Sequence, residues 1–232
     1  MNPLLRSSAA HVFVSSLDEP ELDSDDTHHL VRVLRLRDGE AVTASDGLGG
    51  WRSCVLSGGG LQVAGEAVRE PQPAPVVIAA AVPKGDRAEW MVQKLTEVGV
   101  TRLVLVDCAR SVVRWSGERA ERQRMRLMRV AREAATQSRR VWLPSVEGPL
   151  PYSEVVRGPG VVVAEPGGAP WSASMATTVR PGTDGAITVV IGPEGGFGPE
   201  ELALAPALVS LGEHVLRVET AALVAAVRLV HG

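Results

Sequence analysis

Residues 186–227 read AITVVIGPEGGFGPEELALAPALVSLGEHVLRVETAALVAAV. An apolar run rich in β-branched residues, Ile187 to Ile191, stops at the glycine turn Gly192-Pro193-Glu194-Gly195-Gly196-Phe197-Gly198, and Pro199-Glu200-Glu201 has the chemistry of a helix start. A second short run, His214 to Val218, reads as another strand that stops at Glu219-Thr220 before an Ala-rich helix. Two strand-to-helix switches side by side place bare backbone at strand C-terminal ends, where open α/β sheets hold their ligands.

Upstream the chain divides in composition. Pro71-Gln72-Pro73-Ala74-Pro75 reads as an extended linker, because alternating prolines cannot enter a sheet interior. The expected domains are therefore 1–72 and 73–232. In the first, the short alternating runs 41–44, 51–56 and 61–68, separated by Asp46-Gly47 and Gly58-Gly59-Gly60, suit a small β-barrel. Asp25-Asp26-Thr27 looks like a helix start leading through His28 to Arg35. In the second, Val76–Val82, a helix over 86–98, Leu103–Val106, a long helix over 117–138 and Val161–Ala164 precede the quoted stretch. That alternation predicts a parallel sheet covered on both faces, with Trp90, Met91, Leu95 and Val98 as the core stripe of the first helix.

Composition excludes several classes. No apolar segment reaches the ~18–20 residues of a spanning helix, and the N-terminus lacks a signal-peptide core, so a cytoplasmic protein without membrane contact is expected. Cys54 and Cys108 have no metal or disulfide spacing, and neighbouring His28 and His29 point about 100° apart on a helix, so no metal is expected. The formal net charge is −3, but residues 101–140 hold eleven arginines against four acids. An arginine-rich block of this kind favours bidentate phosphate contacts, although a solvated helix face would also produce one. Aromatic residues are only 3% of the chain, so recognition by rows of stacking rings is not expected.

The glycine turn excludes more. It lacks the Gly-Lys-Ser/Thr ending of a phosphate loop, the dinucleotide pattern GxGxxG and a nucleophile elbow. What remains is either a plain tight turn or a backbone cradle, shaped by Pro193, for a flat polar ligand such as adenine.

Ile191 to Phe197 with Glu200-Glu201, followed by Leu216-Arg217-Val218-Glu219-Thr220-Ala221, closely resembles the paired C-terminal motifs of the ribosomal RNA small-subunit methyltransferase E family of the SPOUT superfamily. The likeness extends to residues 28–35, to Lys84-Gly85-Asp86-Arg87 with Gln93 to Val100, to Ser111 and Arg114, and to Arg132 to Ala135 with Gln137, Ser138 and Arg140. Arg139 departs from it, since the family often has glycine there, and the end at Gly232 makes the last helix short. The resemblance implies an N-terminal PUA-like β-barrel for RNA, and a C-terminal α/β domain with a parallel sheet tied in a trefoil knot. It further implies a homodimer acting on small-subunit ribosomal RNA or the assembled small subunit, and S-adenosylmethionine as methyl donor to uridine N3. Carried onto this chain, the cofactor would be held by Glu165, Pro166, Ile191, Gly192, Pro193, Gly195, Gly196, Val215, Leu216, Arg217, Thr220 and Ala221. Arg217 and Glu219 become the candidate catalytic pair, one stabilising a uridine anion and the other accepting the proton or holding the arginine, with Glu194 a weaker candidate base. RNA contacts would come from Arg32, Arg35, Lys84, Arg87, Lys94, Arg114, Gln137 and Arg140. Another RNA target, or a non-catalytic RNA-binding assembly factor, remain the alternatives.

Overall fold

The computed structural model describes residues 2–171 and 185–231, and its contacts divide the chain into two compact units. The first comprises Met1–Gln72 with Ala135–Leu143; the second comprises Pro73–Ala134 with Pro144–Gly232.

In the first unit a short helix α1 (Pro3–Ser7) precedes a four-stranded sheet of order β1 (Ala10–Phe13), β2 (Ala41–Ser45), β3 (Gly50–Ser57) and β4 (Gly60–Arg69). β1 runs parallel to β2, and the other two pairings are antiparallel. The three expected strand runs are present, and β1, too short to show a period, joins them. From Val42 to Ser45 every residue is buried, so the polar ones must find partners. Thr43 Oγ1 lies 2.9 Å from His11 Nδ1 and 3.2 Å from Ser8 Oγ, and the Ser45 hydroxyl donates to the Gly50 carbonyl at 2.8 Å.

Helix α2 (Ser24–His28) starts as its acids suggest, with the Asp23 carboxylate accepting the Asp26 N–H at 2.7 Å. It does not continue to Arg35. A wide π-helical turn, His29–Val33, puts Leu30 in the core and leaves Arg32 and Arg35 exposed. The segment 135–143 joins this unit through Val141, buried with Leu5 and Trp51, and through the Gly49 N–H bond to the Val141 carbonyl at 2.9 Å. Gly49 has φ +92, and a Cβ there would enter the Trp142 indole. Arg139 has φ +57, the left-handed conformation that favours glycine, and its guanidinium donates to Ser8 Oγ.

The second unit is a six-stranded, wholly parallel sheet of order β10-β8-β9-β5-β6-β7: β5 (Val76–Ala81), β6 (Arg102–Asp107), β7 (Ser145–Pro151), β8 (Val161–Pro170), β9 (Ile187–Ile191) and β10 (Leu208–Ser210). All of β5 is buried, and period two sends Ile78 and Ala80 to one core and Val77, Ala79 and Ala81 to the other. Helices α3 (Arg87–Val98), α4 (Gly117–Ser138) and α7 (Val218–His231) supply the first core, where Ala222, Ala225 and Ala226 let α7 approach the sheet closely. Short helices α5 (Tyr152–Val155) and α6 (Pro199–Leu204) cover the other face, with Tyr152 packed on Phe197.

Two further expectations are corrected, and one strand was not foreseen. His214–Val218 is not a strand: the sheet edge is taken by Leu208–Ser210, and 211–217 is a loop with Val215 86% exposed. Trp90 is not core but 41% exposed, because the buried stripe of α3 is Ala88, Met91, Val92, Leu95 and Thr96, centred on the opposite side of the helix. β7 escapes the sequence reading because Gly148, Pro149 and Pro151 read as loop, which an edge strand tolerates.

Burial holds the His11 imidazole neutral, with its pKa lowered to about 4, chiefly by desolvation. As pH falls below about 6.5 the unfolded chain gains a proton that the folded unit refuses until about 4, so stability is lost across that window. The loss attributable to His11 amounts to about 2 kcal/mol by pH 5. Denaturant titrations at pH 7 and 5 should show that His11→Gln has the smaller acid loss; identical losses in the two proteins would refute this role.

Candidate functional site

At the C-terminal edge of β8, β9 and β10, three chain segments line an open cleft with about 680 Å³ of space unfilled by protein atoms, the solvent at its mouth included. β8 contributes Ala164, Glu165 and Pro166; the turn after β9 contributes Ile191, Gly192, Pro193, Glu194, Gly196 and Phe197; the stretch after β10 contributes Ser210, Leu211, Gly212, His214, Val215 and Leu216, with Val218 and Ala221 of α7. The walls are largely backbone and apolar side chain. Their charged members are the carboxylates Glu165 and Glu194, and no Lys or Arg lines the cleft among the described residues.

The glycine turn is held from behind. The Gly196 N–H donates to the Pro193 carbonyl at 2.9 Å, and a Cβ on Gly192 would meet the Phe197 ring at 2.8 Å. Glu201, buried at the start of α6, accepts the Gly198 N–H on one oxygen and the Ala109 N–H on the other, both at 2.8 Å, while Tyr152 donates its hydroxyl to the Glu201 carbonyl at 2.9 Å. The Arg110 guanidinium donates to the Gly195 carbonyl at 3.1 Å. One carboxylate thus joins the loop after β6 to the turn that walls the cleft. Sequence reasoning used Glu201 as a helix-start signal and a motif residue but gave it no part in the site; its place as the third residue of the helix after Gly198 was the available sign of this bracing. Cys108, behind this loop, is a neutral thiol whose pKa burial pushes up to about 12, with the nearby Glu201 charge adding to the effect.

Beside the cleft lies a charge cluster. Arg87 Nη1 stands 3.9 Å from Glu194 Oε1 and 3.9 Å from Glu219 Oε1, and the Lys84 backbone N–H donates to Glu194 Oε1 at 3.4 Å. Glu219 is only 7% exposed, and its Oε2 is buried without a hydrogen-bond partner among the described residues. Such an oxygen has lost water without gaining a donor, so it is primed to accept one. The candidate partner Arg217 does not face it. Arg217 is exposed and has no ion pair among the described residues, and residues two apart at a helix start point to different sides.

Of the twelve residues expected around a cofactor, Glu165, Pro166, Ile191, Gly192, Pro193, Gly196, Val215, Leu216 and Ala221 line the cleft, whereas Gly195, Arg217 and Thr220 do not. Ser210, Leu211, Gly212 and His214 were missed, because their place follows from β10, which the sequence did not reveal. Of the residues expected to contact RNA, Lys84 and Arg87 line a shallow groove with Gly85, Asp86 and Trp90. Lys94 pairs with Glu97 at 2.8 Å. Arg114 donates to Asp107 at 3.3 Å and to the Cys108 and Ala109 carbonyls at 3.1 and 2.8 Å, so it braces its own loop. These four belong to the second unit, while Arg32, Arg35, Gln137 and Arg140 belong to the first. Burial lowers the Arg140 pKa to about 10, which leaves it charged at neutral pH.

Comparison with known proteins gives two family matches: an RNA methyltransferase domain over residues 70–230 and an RNA methyltransferase PUA domain over residues 22–63. The chain is 34% identical over 223 residues to ribosomal RNA small subunit methyltransferase E of Mycobacterium tuberculosis, covering 88% of this chain and 83% of the relative. It is 36% identical over 214 residues to the protein of that name from Synechocystis sp., covering 85% and 68%. The crystal structure of ribosomal RNA small subunit methyltransferase E from Neisseria gonorrhoeae bound to S-adenosyl methionine superimposes with a TM-score of 0.78 at 26% identity, covering 95% of this chain and 96% of the other.

Glu201→Gln should destabilise the second unit by about 1–3 kcal/mol, because an amide nitrogen then faces a backbone N–H donor that the carboxylate had satisfied. Urea unfolding measures this; an unchanged midpoint would show that the two bonds do not hold the turn.

Proposed function

Because the chain belongs to the ribosomal RNA small subunit methyltransferase E family, we propose that it transfers the methyl group of S-adenosylmethionine to N3 of a uridine in small-subunit (16S) ribosomal RNA. The observation that carries the cofactor assignment is the cleft itself: a pocket at parallel strand ends whose charged walls are Glu165 and Glu194 suits a ligand bearing a sulfonium cation. Backbone of the turn after β9 and of the stretch after β10 lines the cleft and would hydrogen-bond the adenine edge, and the apolar Leu216 and Val218 would cover its faces. The relative bound to S-adenosyl methionine has the same fold over nearly the whole chain.

The chemistry is an in-line displacement. Uridine N3 forms a bond to the methyl carbon, the carbon–sulfur bond breaks, its electron pair stays on sulfur, and the N3 proton is transferred to a base. Glu219 is the proposed acceptor, since Oε2 is buried beside the cleft and unengaged, and Arg87 steadies its other oxygen. Arg217, exposed at the start of α7, is the proposed partner of the developing uridine anion. The PUA domain and the basic residues Arg32, Arg35 and Arg140 bind the RNA in this proposal, with Gln137. It also includes the division 1–72 and 73–232, a trefoil crossing in the C-terminal domain, a cytoplasmic homodimer, and no metal in the reaction. Among the described residues no group of three or more His, Cys, Asp or Glu could hold a metal ion, and no helix is long and apolar enough to cross a membrane.

Mass spectrometry of small-subunit ribosomal RNA from a deletion strain should show loss of 3-methyluridine; its persistence would remove the assignment, and loss of a different modified nucleoside would redirect it. In steady-state assays Glu219→Gln and Arg217→Ala should each lower kcat by about 100-fold or more while the Kd for S-adenosylmethionine changes less than about 3-fold. Full activity in either variant would eliminate that residue from the mechanism.

A further inference from the structure

We infer that the groove formed by Lys84, Gly85, Asp86, Arg87 and Trp90 is the acceptor subsite, holding one unstacked pyrimidine nucleotide with its base on the Trp90 indole and its phosphate on Lys84. The inference rests on the reading of the protein as an RNA methyltransferase. Group transfer requires donor and acceptor in adjoining sites, with the reacting atoms about 3–3.5 Å apart. The donor cleft and this groove adjoin through one ion pair: Glu194 lines the cleft, Arg87 lines the groove, and their charged atoms stand 3.9 Å apart. Lys84 ties the same wall through its backbone N–H to Glu194. Glu219, with its unengaged oxygen, meets Arg87 from the other side.

The groove has the parts that a single nucleotide needs. Trp90 is 41% exposed on a helix whose Met91, Val92 and Leu95 are fully buried and whose Val98 packs partly against the same core, so its ring is surplus to the core. A flat indole beside cations offers a base a stacking surface that no aliphatic residue could replace. Lys84 is exposed and has no ion pair among the described residues, which leaves its ammonium available for a phosphate. Asp86 precedes α3 without making a side-chain capping bond, so its carboxylate can accept the O–H of the ribose 2′-hydroxyl. The same carboxylate repels phosphate, which assigns the phosphate to the Lys84 side. One ring serves one base, in contrast to a row of rings along a strand.

The test uses the full chain and a single-stranded oligouridylate as probe, followed by turnover on small-subunit ribosomal RNA. Oligouridylate should quench tryptophan fluorescence in the wild type and much less in Trp90→Phe, which retains the four other tryptophans. Trp90→Ala should raise KM for RNA by about 10-fold, and Trp90→Phe by less than about 3-fold, with the Kd for S-adenosylmethionine unchanged in both. Equal quenching in wild type and Trp90→Phe, or an unaltered KM in an active Trp90→Ala enzyme, would overturn the subsite and leave the methyltransferase reading standing. A Trp90→Ala chain that sediments at half the wild-type mass with unaltered RNA affinity would also overturn it, by assigning the ring to an interface between copies. Trp90-dependent quenching by oligouridylate with no methyl transfer to any RNA would sustain the subsite and defeat the methyltransferase reading.

Discussion

Parallel pairing of β9 between β8 and β5 is the constraint on which the rest of the second unit depends. Strands that run the same way must finish at the same edge, so the turns that leave them are delivered to one place whatever their sequence separation. The glycine turn after β9, the middle of β8 and the stretch after β10 thereby become three walls of one cleft. The central strands are buried on both faces and consist of aliphatic residues, which leaves the chemistry to their ends.

Backbone turns alone would be too compliant to form a selective wall, and the second structural theme is how they are made rigid. Glu201 satisfies two backbone donors from segments 92 residues or less apart in sequence, and Arg110 adds a third link through the Gly195 carbonyl. Arg114 does the same work within its own loop. Charge-assisted bonds to backbone groups inside a partly dry site are stronger than those to free side chains in water, which explains why charged residues are used here as braces. Several arginines that look like an RNA-binding surface in the sequence are thus partly occupied within the fold: Arg124 with Glu121, Arg126 with Glu89, and Arg114 with Asp107.

The cleft and the groove differ in electrostatic character, and Arg87 lies where they meet. On one side the charged groups are Glu165 and Glu194, suited to a cationic donor; on the other, Lys84 and Arg87 outnumber Asp86, suited to a polyanionic acceptor. An arginine shared loosely between Glu194 and Glu219 keeps two carboxylates near each other that would otherwise repel.

The sequence by itself determined the class of each unit and the glycine turn, because these depend on local chemistry: a β-branched run, a Pro-Glu-Gly-Gly turn, an Ala-rich helix; most of the cleft residues came instead through the resemblance of its paired C-terminal motifs to a known family. It also marked Arg139 as unusual, and the backbone there is indeed left-handed. Only the tertiary structure decided three further matters. It set the edge strand at Leu208–Ser210 instead of His214–Val218, since a three-residue strand is defined by its neighbour and not by its own period. It gave Glu219 the partner Arg87 in place of Arg217, since residues two apart at a helix start diverge while residues 132 apart can meet. It turned Trp90 outward, since a helix buries one stripe and the stripe chosen was set by the packing of Met91, Val92 and Leu95 on the sheet. Local chemistry is written along the chain, whereas direction and partnership arise only when the sheet has brought distant segments to one edge.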